Sequence, residues 1–252
     1  MPIQQMLLGA GAVVTKTYVD DIFSTFVYEG NGYHSSLNPS GPTSRDIVNG
    51  IDFTEGGLAI FNTRNQQQWW QWVDTVNGAT NSLASNSNNA LDTNRPNGLK
   101  TFNNNGFTIG YDSLYNVGGA DYDYSSWSFR KAPGFLDIVE FTETGSDATI
   151  SHQLGSVPGM IIMKTTSRTS PWFVYHRGIG ESKWIKLNET GGATSFSSGG
   201  WGSVTSSSFN FTNQVLGYGS GTKWIVYVFA GGESTAATAR SVDFDGTNDY
   251  LS

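Results

Sequence analysis

At 252 residues the chain is long enough for two domains of about 100 residues, each with a core of its own. Only 14% of the residues are charged and the net charge is -7, which disfavours an electrostatic grip on nucleic-acid backbones or anionic membranes. The absence of cysteine excludes a disulfide framework and any thiolate metal site, and no stretch approaches the roughly 20 apolar residues of a membrane span. Abundant glycine (31 residues), many Asn, Ser and Thr, and 13% aromatics read as short strands joined by tight turns.

Residues 1–20 open with Met1-Pro2-Ile3-Gln4-Gln5-Met6-Leu7-Leu8 and lack the cationic start of a secretory signal, so synthesis in a cytoplasm without signal-peptide export is expected. They show no amphipathic period. Left uncovered, Ile3, Met6, Leu7, Leu8, Val13 and Val14 are an apolar liability, so the segment is read as an extended peptide docking into a partner's groove, with a disordered leader as the alternative.

Two versions of one all-β pattern follow, expected at residues 21–133 and 134–232. The first begins with Phe23-Ser24-Thr25-Phe26-Val27-Tyr28, the second with Phe135-Leu136-Asp137-Ile138-Val139-Glu140-Phe141. These starts are displaced by about 113 positions, whereas Gly57-Leu58-Ala59-Ile60-Phe61 and Gly159-Met160-Ile161-Ile162-Met163 are displaced by about 102. The difference places an inserted surface loop within residues 33–45 of the first module, where Asn38, Pro39, Gly41 and Pro42 cluster.

Next come an aromatic strand (Trp69, Trp70, Trp72 against Trp172, Phe173, Tyr175), a further strand ending in Asn86 or Asn188, and a short one at Phe107 or Phe209. The closing strands, Trp127-Ser128-Phe129 and Tyr227-Val228-Phe229, match at a displacement nearer about 100. Residues 222–229 show the clearest alternation in the chain. The expected fold is therefore two tandem, homologous β-sandwich modules behind an N-terminal docking peptide, joined by the short Arg130-Lys131-Ala132-Pro133-Gly134. Residues 233–252 read as a Gly/Ala/Ser/Thr linker and a hairpin that cannot bury a core alone, hence the start of a further domain.

Catalysis is not expected. The three histidines, His34, His152 and His176, have no partners at metal-ligand spacing, and His152, near Gly155 and Pro158, reads as a turn residue. Asp243, Asp245, Asn248 and Asp249 offer oxygen ligands that could hold calcium, although an EF-hand glutamate is lacking and an Asx-turn hairpin accounts for the same residues. Alternation puts Trp70 and Trp72 on one strand face and Trp69 on the other; beside Gln66, Gln67 and Gln68, an exposed tryptophan suits either a subunit interface, the favoured reading, or a sugar-stacking surface. Trp201 is a second candidate for that surface.

Several segments resemble virion structural proteins of tailed phages of marine bacteria, including cyanophages. They are the leader Met1 to Val14, Tyr18-Val19-Asp20-Asp21-Ile22-Phe23-Ser24-Thr25, Gly106-Phe107-Thr108-Ile109-Gly110 and Trp127-Ser128-Phe129-Arg130-Lys131-Ala132-Pro133. Residues 151–159 are similar to a His-x-Leu-Gly-x-x-Pro stretch of tail-fibre β-domains, and residues 242–251 to the first hairpin of laminin-G or concanavalin-like lectin domains. The resemblance implies a tail fibre or related appendage in the virion, a homotrimer. Its leader would attach to other tail proteins, an adaptor or nozzle, and its distal domains would meet host surface polysaccharide. The alternatives are a carbohydrate-binding module acting through Trp69 or Trp201 and a capsid decoration protein.

Overall fold

The computed structural model describes residues 19–119 and 122–232. Strands and turns make up nearly all of it; the exceptions are single turns of helix, including α1 (Val19–Ile22) and α2 (Asn213–Leu216). The described residues divide into two compact units, one of residues 19–82, 92–119 and 122–131, the other of residues 83–91 and 132–232.

The first unit contains β1 (Phe23–Glu29), β2 (Arg45–Val48), β3 (Gly57–Thr63) and β4 (Gln71–Asp74). The two-residue β5 (Leu83–Ala84) falls in the segment assigned to the second unit, and the first unit resumes with β6 (Leu99–Asn103), β7 (Gly106–Ile109) and β8 (Asp123–Arg130). Antiparallel pairing gives the order β1-β8-β3-β4 in one sheet and β2-β7-β6 in another. Side chains from both sheets meet in one core: Tyr28, Ala59, Phe61, Val73 and Tyr124 from the first, Ile47, Leu99, Phe107 and Ile109 from the second. Successive residues alternate between this core and the opposite face, as the two-residue period of a strand requires; on β3 and β4 that opposite face is buried and apolar as well, at Leu58, Ile60 and Trp72.

The second unit contains β9 (Leu136–Thr142), β10 (Ala148–Ser151), β11 (Pro158–Thr165), β12 (Phe173–His176), β13 (Lys183–Lys186), β14 (Thr194–Ser195), β15 (Ser208–Phe211) and β16 (Lys223–Ala230). Its sheets run β14-β13-β12-β11-β16-β9 and β10-β15. Ile161, Met163, Phe173, Tyr175, Trp224 and Val226 meet Ile150, Phe209 and Phe211 across the core.

The order β1-β8-β3-β4 thus recurs as β9-β16-β11-β12. Registers recur with it. Ala59 faces Val73 and Ile161 faces Tyr175, both displaced by about 102; on the other side Ala59 faces Ser128 and Ile161 faces Val228, where the closing strands are displaced by about 100. Phe23 and Leu136, displaced by about 113, occupy the same position opposite Phe129 and Phe229. Ile47 and Ile150, which face Phe107 and Phe209, are displaced by about 103, so the first unit's extra residues lie between β1 and β2.

Three local expectations change. The aromatic strand of the first unit begins at Gln71, so Trp69 and Trp70 precede it. The boundary near residue 133 falls between Lys131 and Ala132, because Ala132 bridges to Leu136 and begins the second unit's pairing. Residues 83–91, read as part of the first module, belong to the second unit, where Trp172 Nε1 donates to the carbonyls of Ala84 and Ser87 (3.1 Å each) and Ser170 N to that of Asn88 (2.9 Å).

Candidate functional site

In the first unit, Gln68, Trp69, Arg95, Asn97, Tyr111 and Asp112 line an open cleft of about 460 Å³. Trp69 is 48% exposed, and its position just before β4 frees it from the sheet's pairing. Tyr111 is half-buried and packs edge-on against Tyr33 with ring centroids 5.5 Å apart. The cleft therefore has two aromatic surfaces and a polar remainder.

Its far wall is pinned by backbone hydrogen bonds. Arg95 N donates to the Thr80 carbonyl (3.0 Å), Gly98 N to that of Arg95 (2.9 Å), Gly110 N to that of Gly98 (2.7 Å) and Asp112 N to that of Asn97 (2.9 Å). Gly110 lies so close to the Asn97 backbone that a Cβ there would collide with it. Asp112 Oδ1 accepts from Leu114 N at 2.9 Å, while Oδ2 pairs with Arg95 Nη1 at 3.1 Å. Arg95 Nε lies 2.8 Å from Asp92 Oδ2, too bent for a hydrogen bond, so this is a charge contact. One guanidinium is thus shared by two carboxylates. Among the described residues the side-chain amides of Gln68 and Asn97 have no hydrogen-bond partner.

The other tryptophans fare differently. Trp70 is half-buried, with its ring 5.1 Å from that of Trp127, which is 39% exposed on β8. Val27, 60% exposed, faces Ser125 on β8 and so lies diagonal to Trp127 on the same face of the sheet. Trp72 is buried, which removes it as a contact surface.

Trp201 is a correction. It is fully buried, donates Nε1 to the Lys183 carbonyl at 2.8 Å, and packs on Tyr175, Phe196 and Phe209. Gly199 and Gly200, with φ of 68° and 150°, turn the chain inward just before it. A ring so placed cannot stack on a sugar or meet a partner.

The histidines serve turns. Nδ1 of His34, His152 and His176 accepts the backbone N–H two residues on, from Ser36, Leu154 and Gly178 at 3.3, 3.3 and 3.1 Å, which makes Nε2 the protonated nitrogen of the neutral ring. Burial pushes His152 below its ordinary value. Among the described residues no three His, Asp or Glu side chains converge on a metal-sized site, and no helix is long and apolar enough to cross a membrane.

One functional-looking group had no signal in the sequence. Lys164 on β11 is fully buried and donates to the carbonyls of Asn88 (3.3 Å) and Thr165 (3.1 Å) and to Ser170 Oγ (3.2 Å). Burial pushes its amine down to about 8. Among the described residues its partners are neutral acceptors on the segment 83–91, at the end of β11 and in the turn that follows, so the amine ties those segments together.

The docking residues Ile3, Met6, Leu7, Leu8, Val13 and Val14, and the calcium candidates Asp243, Asp245, Asn248 and Asp249, lie outside the described residues.

Fold and site together define an all-β protein of two antiparallel units, the first bearing an aromatic and polar cleft. Residues 20–238 match the family described as "Domain of unknown function (DUF7483)", and the chain belongs to that family. The match runs through both units. No curated protein and no solved structure matches the chain.

Proposed function

We propose that the protein is a non-enzymatic structural component of a phage tail fibre, attached to the tail through its N-terminal peptide and forming the proximal region of the fibre for host adsorption. The observation that supports this reading is the apolar ridge of Val27, Trp127 and Trp70 on one outer sheet face of the first unit. Outward positions of a solvated strand are ordinarily polar, and exposed aromatic and aliphatic groups in contact mark a surface that another subunit covers. Association through such ridges would build the shaft, with the homotrimeric state implied by the resemblance to phage fibres, and several leaders presented together would turn weak docking into firm attachment.

The test is cryo-electron microscopy of particles assembled with the full chain and with a chain lacking residues 1–17. Density projecting from the tail, lost in the truncated protein, is the expected result. Density on the capsid shell would make it a decoration protein instead, and normal incorporation of the truncated chain would refute the docking role of the leader.

A further inference from the structure

We propose that the Trp69 cleft binds a neutral, linear oligosaccharide, with the Trp69 indole as the stacking platform and the Gln68 and Asn97 amides as the hydroxyl-reading groups. This does not rest on the tail-fibre reading and can fail or hold without it.

A pyranose ring presents an apolar C–H face and a rim of hydroxyls that each donate and accept. A receptor for it needs a flat, accessible aromatic surface and, beside it, groups able to do both. Trp69 supplies the first, with nearly half its surface open and Tyr111 facing the same cleft. Gln68 and Asn97 supply the second, since each side-chain amide carries two donors and a carbonyl acceptor, and neither has a partner among the described residues. Two unpartnered amides in one concave wall are a better match to a polyhydroxylated ligand than to the apolar core of a protein interface. The apolar ridge that suits such an interface, Trp70 with Trp127 and Val27, is a separate surface.

Charge selects the class of sugar. Among the described residues the cation lining the cleft is Arg95, which is paired with both Asp92 and Asp112, so the local sum is negative, as is the whole chain at -7. A sulfated or uronic-acid polymer would be repelled. The Arg95–Asp112 pair still serves a neutral ligand, because the carboxylate keeps acceptor capacity and its orientation is locked by the Leu114 N–H. The pinned backbone around Asn97 and Asp112 holds these groups in place before a ligand arrives, which lowers the entropy lost on binding.

The test uses the full-length chain labelled with 15N, titrated with cellohexaose, mannohexaose and maltohexaose, reading the Trp69 indole and the Gln68 and Asn97 side-chain amides. A saturable shift of these signals with at least one hexasaccharide is expected, and Trp69→Ala and Asn97→Ala should each weaken that binding about tenfold or more. Since Trp69 is exposed, the melting temperature of Trp69→Ala should match the parent and so report an intact fold. The proposal is overturned by silence with all three sugars up to about 10 mM, or by binding that survives loss of Trp69. Tighter binding of a sulfated cello-oligosaccharide than of cellohexaose would overturn the neutral class. Broadening of the Trp69 signal with protein concentration and not with sugar would make the cleft a contact between copies.

Discussion

In the first unit the backbone N–H of Gly30 meets the Tyr122 carbonyl at 2.7 Å; at the corresponding place in the second unit, Glu143 meets Thr222 at 2.8 Å. The backbone is the same and the chemistry is not. At Gly30 the Val117 carbonyl comes so close that a Cβ would collide with it, so the loop before β8 packs directly on the main chain. At Glu143 a buried carboxylate fills that space and accepts from Tyr218 N, Gly219 N and Trp224 Nε1. The cores differ in the same way. The first unit buries phenols, with Tyr28 and Tyr124 hydroxyls donating to the Tyr115 and Ser113 carbonyls at 2.7 and 2.8 Å. The second buries indoles, with Trp201 donating to Lys183 and Trp224 to Glu143. A large aromatic with a polar tip is ordinarily buried where the surrounding chain supplies a partner for that tip, here turn carbonyls at Ser113 and Tyr115 and a strand carbonyl at Lys183, so the partners and the aromatic types differ together while strand pairing stays the same.

The largest expected effect follows from deleting the second unit's central indole. Trp201→Ala should cost about 3–5 kcal/mol in urea denaturation and lower hydrogen-exchange protection in β12, β13 and β15, which touch the ring. An unchanged midpoint would contradict its place in the core. Next comes the Gly30 and Glu143 pair. Glu143→Ala strands three N–H donors and should cost about 2–3 kcal/mol, whereas Gly30→Ala should cost about 1–3 kcal/mol by collision alone. The two mechanisms separate on Glu143→Gln, which keeps one acceptor oxygen for Tyr218 N and Gly219 N but turns an NH2 donor toward Trp224 Nε1, and should recover only part of the loss; recovery no better than with alanine would mean that both carboxylate oxygens are needed there.

The smallest effect concerns Lys164, for which the first unit has Asn62 at the equivalent point of β3. Burial lowers the amine from its ordinary 10.5 to about 8 in the folded protein, so between these values the unfolded chain binds more protons and stability rises with pH. From pH 7.5 to 9 this group should add about 1 kcal/mol, and Lys164→Met should remove that increment from urea midpoints measured at the two values. Equal pH slopes in parent and variant would show that the buried amine does not lose its proton in this range. The window stops short of pH 10, because burial raises the Tyr28 hydroxyl and its effect there has the opposite sign.

Much of the fold is legible in the residues. The displacements of about 102, 100 and 113 read from Gly57-Leu58-Ala59, Trp127-Ser128-Phe129 and Phe23 reappear as strand registers, and the inserted loop falls between β1 and β2 as expected. Of the site, only Trp69 and Gln68 stood out beforehand, because a run of glutamines and tryptophans is unusual locally. Asn97, Tyr111 and Asp112 carry no local signal. Turns and hydrogen bonds far along the chain bring them to Trp69.

What the sequence by itself determined is the all-β character, the alternation along each strand and the repeated register, since these depend on a two-residue period and on turn residues a few positions apart. Only the tertiary structure decided that Trp201 and Lys164 are buried, that Trp69 is open while Trp72 is not, and that residues 83–91 belong with the second unit. Solvent exposure is a property of what packs above a residue, and in a two-sheet protein that is set by strands distant in the chain, whose side chains no local pattern can place.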